Sequence, residues 1–322
     1  MKILFITTDE NKNLHVKGRS QGDCHENVAL IGLRQLLGNN CVDYPRKKIL
    51  YHEWDNVDKD SLHGKGFSIL HEPIKDIPDD CRDLTNQTFD VILYGTSFNY
   101  GMTDIPELEA KCKVKFYIDG NDLIGHAPNG KYLNYNNNRV IGNQTSPAFK
   151  TQLLKLEPNL HTFGVAVPES RILDIDFSKK CKLFQKSYPR EALFEPKEVN
   201  RSHYYFTDEE EYYDDMARSW FGLTCIRGGW DAIRNYEIIA AGTLLLFRDY
   251  KFKPPFCSPV NLPTLSYSSK EELDELTKYL VKDNKPTHEY IDLLNLQRQW
   301  LLETATTEAR AKQIIGVLKN YV

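Results

Sequence analysis

Short apolar runs alternate with amphipathic stretches along most of the chain. This alternation is typical of helices packed on a mostly parallel sheet, and it predicts an α/β fold. An amphipathic stretch predicts a helix over residues 25–37, with Asp23 as its N-cap and Gly38 just past its end. The apolar or β-branched runs that predict buried strands in the N-terminal half are residues 2–8, 89–94 and 114–118.

Two of these predicted strands run into polar loops. Residues 89–94 are followed by glycine, threonine and serine, and residues 114–118 are followed by Asp119 and Asp122 around a glycine. Loops at the carboxyl ends of parallel strands are where open α/β sheets bind ligands. Asp119 and Asp122 are therefore candidate catalytic bases, and His126 is a further candidate. The alternative is that the two aspartates form turns and the histidine is solvated.

The sequence also indicates two domains. A connection rich in proline and asparagine, residues 127–146, precedes the apolar segment 163–168, where a second domain begins. We expect two α/β domains, one over residues 1–165 and one over residues 166–322. The final helix of the second domain can pack back on the first. Residues 46–66 show no regular spacing of hydrophobic positions, and this pattern predicts an irregular insertion or an acceptor-side loop.

The segment 221–247 is the most informative part of the sequence. It predicts a loop, a helix over residues 230–241, a tight turn and a strand. At 100° per residue, Asp231, Arg234 and Glu237 fall on one arc of the helix and the apolar residues fall on the other. One face of this helix is therefore expected to pack and the other to present charge.

The same segment has the groups that suit a bound diphosphate. Gly228 and Gly229 precede the helix and allow close approach of the backbone, and the positive end of the helix dipole attracts anions. Arg227 and Arg234 can add charge-assisted hydrogen bonds. Glu237 is an acceptor of the kind that holds vicinal ribose hydroxyls. The alternative is an ordinary surface ion pair between Arg234 and Glu237.

Here the sequence resembles the donor-binding half of GT-B glycosyltransferases. In that half an arginine, a glutamate three residues later and an Ala-x-Gly turn precede a hydrophobic strand, matched by Arg234, Glu237, Ala240 and Gly242. The run Arg-Gly-Gly-Trp-Asp at residues 227–231 is similar to a group of viral and bacterial GT-B-like transferases, distantly like exostosin-type domains. The resemblance implies two Rossmann-like domains facing each other across a cleft, with Asp231 among the donor-binding residues.

Two further matches and two departures accompany this resemblance. The loop at residues 119–122 matches an Asp-Gly-x-Asp loop of the group, and Lys186 with Arg190 loosely matches a basic segment that implies contact with donor phosphates. Pro189 directly precedes Arg190, which departs from the usual pattern. The second glutamate of retaining families, seven residues before Glu237, is absent, so a retaining mechanism is not implied.

Composition narrows the class of function. The 322 residues have a formal net charge of −4, which disfavours a sequence-independent DNA binder. The seven cysteines form no C-x-x-C pair and the nine histidines show no zinc spacing, so reduced thiols and the absence of a built-in metal site are expected. No run of about 18 apolar residues predicts a membrane span. The expected location is the cytoplasm, or the host cytoplasm if the protein is viral.

Together these observations predict a glycosyltransferase, a hexosyl- or pentosyltransferase. It would move a sugar from a nucleotide-diphosphate donor to the hydroxyl of a glycan or another acceptor, without metal and without a permanently bound cofactor. One alternative is the same chemistry on a modified base of phage DNA, which needs a basic groove. A second is a non-catalytic nucleotide-binding protein of the same fold. A third, an NAD-dependent oxidoreductase, requires a glycine-rich turn that residues 7–12 lack.

Overall fold

The computed structural model contains two parallel sheets joined by short connections. The residues that it describes are 1–7, 24–51, 62–85, 87–95, 112–119, 147–156, 158–196 and 205–322.

The first sheet forms the centre of the N-terminal half. Its strands are β1 (Ile3–Ile6), β2 (Cys41–Tyr44), β3 (Phe89–Tyr94), β4 (Cys112–Asp119), β5 (Ala148–Lys150) and β6 (Leu160–Thr162). They lie in the order β2-β1-β3-β4-β5-β6, and every neighbouring pair is parallel. The four residues of β1 are all buried, as expected for a central strand covered on both faces.

The predicted elements of this half are confirmed. The runs at residues 2–8, 89–94 and 114–118 form β1, β3 and β4. The predicted helix is α1 (Cys24–Leu37), and Gly38 follows it with a left-handed φ of 54°. Asp23 lies outside the described residues.

The second sheet is smaller and also entirely parallel. Its strands are β7 (Lys182–Phe184), β8 (Ser219–Cys225), β9 (Leu244–Arg248) and β10 (Leu265–Tyr267). They lie in the order β10-β9-β8-β7. A two-stranded antiparallel ribbon, β11 (Val281–Lys282) with β12 (Lys285–Pro286), follows it.

Five helices of the C-terminal half complete the described fold. They are α2 (Glu209–Ala217), α3 (Ile233–Ala240), α4 (Lys270–Leu280), α5 (His288–Thr304) and α6 (Thr307–Leu318). The Asp208 carboxylate accepts a hydrogen bond of 2.9 Å from the Glu211 amide and so caps the start of α2. Among the helices within the described ranges, none combines the length and the apolar character needed to cross a membrane.

The helix predicted over residues 230–241 begins later, at Ile233. Ala232 is its N-cap, with extended dihedral angles of −140° and 140°. Trp230 and Asp231 are buried before the helix, and their burial keeps this part of the chain out of the helical register. The helical-arc argument therefore fails for Asp231, because that residue is not part of the helix.

The last helix crosses back onto the first. Helix α6 packs against α1, and a β-carbon on Gly32 would lie 2.1 Å from the Thr307 carbonyl oxygen, so this contact needs a glycine. The chain passes between the two halves of the molecule twice, and the two connecting segments lie side by side. The Val167 amide donates to the Ala305 carbonyl at 3.2 Å, and the Thr307 amide donates to the Val167 carbonyl at 3.1 Å.

Candidate functional site

The carboxyl edge of the second sheet gathers cationic side chains. Strand β7 leads to Lys186 and Arg190, β8 leads to Arg227, and β9 ends at Arg248. Arg234 lies in the first turn of α3, which begins at this edge. The parallel topology therefore brings four arginines and a lysine from separate parts of the chain to one side of the sheet.

Three of these arginines lie around Cys225, the last residue of β8. Burial and the charge of Glu191 raise the pKa of the Cys225 thiol to about 11. The positive charges of Arg227, Arg248 and Arg234 act in the opposite direction. Three guanidinium groups are therefore close enough to influence the same buried thiol.

The Asp249 carboxylate accepts a hydrogen bond of 3.2 Å from the Arg248 Nε–H, and Glu191 is a second carboxylate within this group of arginines. Burial alone would raise its pKa, but a backbone amide, Arg227 and Arg190 together hold the pKa below its ordinary value. The Arg190 Nε–H donates to the Glu191 carboxylate at 3.0 Å. Arg248 donates to the Glu191 backbone carbonyl at 2.5 Å, and its guanidinium lies 4.0 Å from the centre of the Phe194 ring. A net positive charge remains at the edge.

Arg248 was missed by the sequence reasoning. The signal was present, because the residue ends a buried apolar strand just before a turn. The same position, at the carboxyl end of a parallel strand, was the reason for selecting Asp119.

The loop between β8 and α3 forms a tight turn. The Arg227 amide donates to the Gly229 carbonyl at 3.3 Å. The side chain of Arg227 and the backbone of Gly228 are exposed, and Gly229 is buried beneath them. An approaching ligand would therefore meet the glycine backbone and the arginine together.

The start of α3 has unused hydrogen-bond donors. Its N-cap, Ala232, has no side chain that could cap the helix amides. The Trp230 Nε1–H and the Arg234 Nε–H are buried and have no hydrogen-bond partner among the described residues. An uncapped helix start beside buried N–H donors is suited to an anion.

Lys186 and Arg190 lie at the end of β7. The Lys186 amide donates to the Asp215 carboxylate at 2.7 Å, while its side chain is exposed, with Nζ 5.5 Å from the Tyr205 ring centre. The Arg190 side chain is about one-third exposed, at 33%. Between them, the buried Ser187 hydroxyl has no partner among the described atoms.

Asp231 does not lie on an exposed arc with Arg234, so that expectation is wrong. The residue is 6% exposed and accepts hydrogen bonds from Thr151 Oγ1 at 2.9 Å, the Val165 amide at 2.9 Å and the Tyr236 hydroxyl at 2.6 Å. His25 Nε2 lies 3.8 Å away. Burial would raise the pKa of Asp231, but these partners hold it below its ordinary value. Asp231 thus connects the two halves of the molecule.

Glu237 is likewise buried, at 3% exposure, so the expectation of an exposed carboxylate is also wrong. The Ser68 hydroxyl donates to its Oε1 at 2.5 Å, and the Tyr212 hydroxyl donates to its Oε2 at 2.6 Å. Burial raises the pKa of Glu237 above its ordinary value, although both hydrogen bonds and the charge of Arg234 oppose this shift. Both carboxylate oxygens are therefore occupied by hydroxyl groups.

The candidate bases lie at the carboxyl edge of the first sheet or beyond the described residues. Asp119 is the last residue of β4 and pairs in register with Lys150 of β5. Asp122 and His126 fall in a stretch that the structure does not describe, and their roles remain predictions. In the described ranges, no group of histidine, cysteine, aspartate and glutamate side chains could hold a metal ion.

Comparison with solved structures identifies the architecture. The chain matches Anabaena Alr3699/HepE in complex with UDP at a TM-score of 0.54 and 11% identity, covering 99% of this chain and 100% of that chain. Complexes of the same protein with UDP and glucose and with UDP-glucose match at TM-scores of 0.53 and 0.50, each at 10% identity and the same coverage. No family model matches the sequence, and no curated protein matches it significantly.

The near-complete coverage, together with two parallel sheets, decides the fold class. The chain has a GT-B-like fold. The predicted α/β architecture, with two Rossmann-like domains facing each other across a cleft, is confirmed. In this GT-B-like fold, the arginine-rich edge belongs to the C-terminal domain, and the candidate base Asp119 belongs to the N-terminal domain.

Proposed function

We propose that the chain is a glycosyltransferase that binds a nucleotide-diphosphate sugar on its C-terminal domain and transfers the sugar to an acceptor hydroxyl. The observation that carries this proposal is the cluster of Arg190, Arg227, Arg234 and Arg248 beside the uncapped start of α3. A diphosphate is the ligand whose charge and oxygen acceptors match this cluster best.

The cluster also fits the chemistry of the reaction. When the acceptor oxygen bonds to the anomeric carbon, the bond from that carbon to the diphosphate breaks and negative charge develops on the leaving group. Arg227 and Arg234, with the glycine turn between them in sequence, would stabilise this charge by preorganised hydrogen bonds. Lys186, Gly228 and Gly229 would complete the phosphate site, and no metal would be needed.

The complexes of Anabaena HepE with UDP, UDP-glucose and glucose support a uridine diphosphate sugar as the first donor to test and a sugar as the first acceptor. The acceptor would lie on the N-terminal domain. Asp119, Asp122 and His126 are the proposed bases, and one of them must reach within hydrogen-bond distance of the acceptor hydroxyl to remove its proton.

The proposal is tested by thermal shift of the purified chain against UDP, GDP, ADP, CMP and dTDP, with and without a chelator. One nucleotide should raise the melting temperature, since a ligand at about 100 times its dissociation constant adds about 2.7 kcal/mol. Arg227→Ala and Arg234→Ala should each reduce the shift by about half or more. Arg218→Ala is the matched control, because that arginine is 48% exposed at the opposite edge of the sheet. If none of the nucleotides shifts the wild type, the proposal is wrong.

A further inference from the structure

A tightly coiled segment of the N-terminal domain, residues 62–71, lies against the C-terminal domain. Four of its residues have left-handed backbone angles, with φ of 63° at Gly64, 55° at Lys65, 73° at Gly66 and 67° at Ser68. For a residue with a β-carbon this conformation costs about 1–2 kcal/mol. Such strain persists only where the surroundings over-determine it, and it is often found in segments that move.

The contacts of Ser68 show what holds this segment in place. Ser68 is fully buried, and its amide donates to Glu209 Oε1 at 2.8 Å. Its hydroxyl donates to Glu237 Oε1 at 2.5 Å and lies 2.8 Å from the Tyr213 hydroxyl. Because the serine proton is directed to Glu237, Tyr213 is the donor in the last contact. The hydrogen bonds of the Ser68 amide and hydroxyl thus all reach the C-terminal domain.

Arg171 reinforces the same contact. This arginine is 3% exposed, and its guanidinium donates to Glu210 at 2.9 Å and lies 3.2 Å from Glu209. It also donates to His71 Nε2 at 3.1 Å and lies 3.9 Å from the centre of the Tyr213 ring. The segment is therefore clamped at both Ser68 and His71 by groups of the C-terminal domain and of the connection leading to it.

The hydrogen bond between Ser68 and Glu237 matters because of where Glu237 lies on its helix. Glu237 lies one turn beyond Arg234 on α3, the helix whose start would hold the donor diphosphate. Its two carboxylate oxygens accept one hydroxyl each, from Ser68 and Tyr212. A ribose presents hydroxyl donors of the same kind, so one of them can replace the Ser68 hydroxyl on this carboxylate without loss of a hydrogen bond.

We propose that Ser68 and the ribose of the donor compete for Glu237, so that donor binding releases residues 62–71 from the C-terminal domain. This inference rests on the proposed function. In the ligand-free protein, the Ser68 hydroxyl holds the two domains together and satisfies a buried carboxylate. When the ribose takes its place, the strained backbone of the segment is free to relax, and the N-terminal domain gains freedom to admit the acceptor.

The test compares ribose and dideoxyribose ligands by isothermal titration calorimetry. The wild type, Ser68→Gly and Ser68→Ala are titrated with whichever of UDP, GDP and ADP binds, and with its 2′,3′-dideoxy form. Ser68→Gly is the principal variant, because glycine adopts a φ of 67° readily and only the hydroxyl is lost. Ser178→Ala, an exposed change just before β7, is the matched control.

We expect Ser68→Gly to bind the ribonucleotide about 3- to 10-fold more tightly than the wild type, the factor that one net hydrogen bond is worth. The dideoxy form should bind both proteins equally, and Ser178→Ala should match the wild type. Hydrogen exchange should show that the ribonucleotide, but not its dideoxy form, deprotects residues 62–71 of the wild type.

An unchanged or weaker affinity of Ser68→Gly for the ribonucleotide overturns the inference, as does unchanged protection of residues 62–71. Either result leaves the proposed function intact as long as a nucleotide binds and Arg234→Ala weakens that binding at least ~10-fold. If no nucleotide binds to the wild type or to either variant, the proposed function fails and this inference fails with it.

Discussion

The charged residues of the stretch from Cys225 to Glu237 divide into two groups with opposite environments. The carboxylates of Asp231 and Glu237 are buried at 6% and 3% exposure, and each accepts hydrogen bonds from the N-terminal domain. Arg227 is exposed and Arg234 is partly exposed, with a buried Nε–H that has no described partner. In the ligand-free protein the acidic groups of this stretch join the domains, and the basic groups lie at the edge where a ligand would bind.

Side-chain length explains the difference. A buried carboxylate on a short stem cannot reach water and must be satisfied by donors that the fold brings to it, such as the Val165 amide that donates to Asp231 at 2.9 Å. An arginine can bury its aliphatic stem and still place its guanidinium at the edge of the sheet. Identical spacing along the sequence therefore led to structural contacts for one sign of charge and to a candidate binding surface for the other.

Removal of Asp231 should have the largest effect on stability. Asp231→Ala leaves the Thr151 hydroxyl, the Val165 amide and the Tyr236 hydroxyl buried without their acceptor. We expect a loss of about 3–5 kcal/mol in the free energy of unfolding, measured by urea denaturation. Asp214→Ala, at an aspartate whose side chain is 59% exposed, should change it by less than about 0.5 kcal/mol. Equal losses of unfolding free energy in the two variants would contradict the distinction between a buried and an exposed aspartate.

Removal of Arg227 or Arg234 should affect nucleotide binding more than stability. Arg227→Ala and Arg234→Ala should each weaken nucleotide binding about 10- to 100-fold, the usual value for hydrogen bonds to a charged group. Their free energies of unfolding should stay within about 1 kcal/mol of the wild type. Calorimetric titration and urea denaturation of the same samples separate the two readouts. A large loss of stability with unchanged nucleotide affinity would assign the arginines to the fold instead.

The two buried carboxylates should respond to pH in opposite directions. The folded-state pKa of Asp231 lies below its ordinary value of 3.8, so its contribution is complete above about pH 4 and is lost as the pH falls through the folded pKa. The folded-state pKa of Glu237 lies above its ordinary value of 4.5, so its contribution is complete below that pH and is lost as the pH rises through the folded pKa.

Urea denaturation between about pH 3 and pH 7 checks both directions. Asp231→Asn should lose much of the acid sensitivity of the wild type. Glu237→Gln should instead become more stable relative to the wild type as the pH rises. If the stability of both variants changed with pH in the same way, the pKa values of the two carboxylates would not be shifted in opposite directions.

Lys186 should give the smallest effect. Its side chain is exposed, and its contact with the Tyr205 ring, at 5.5 Å, is long. We expect Lys186→Ala to weaken nucleotide binding no more than about threefold, and to do so mainly at low salt. A loss as large as that caused by Arg234→Ala would place the lysine directly on the diphosphate.

Local pattern was enough to predict β1, β3, β4, β9 and the first helix, but it missed the short strands and assigned residues 221–225, which belong to β8, to a loop. Short runs of apolar and β-branched residues bounded by polar and turn residues, such as residues 89–94, favour buried strands, and β3 has those bounds. The fate of Asp231 and Glu237 could not be predicted in the same way. It depends on Thr151 and Ser68, which are far away in sequence and reach these carboxylates only after both domains have folded and met.

The charge of the candidate site was only partly predictable. Arg227 and Arg234 could be selected because they flank a glycine turn at a helix start, where the local chemistry is visible in the sequence. Arg248 could be selected as the residue at the end of a predicted strand, but its place beside Arg227 and Arg234 depends on the order of strands in the second sheet, which no local pattern reveals.

The paired chain crossings at Val167 and Thr306 set the kind of motion that the domains can make. A single covalent connection would let one domain swivel about a point. Two connections that lie side by side and are hydrogen-bonded to each other instead define a hinge axis. Rotation about that axis keeps the hydrogen bonds between the Val167 and Ala305–Thr307 backbones, whereas sliding or twisting would break them. Domain motion in this protein is therefore expected to have a single axis.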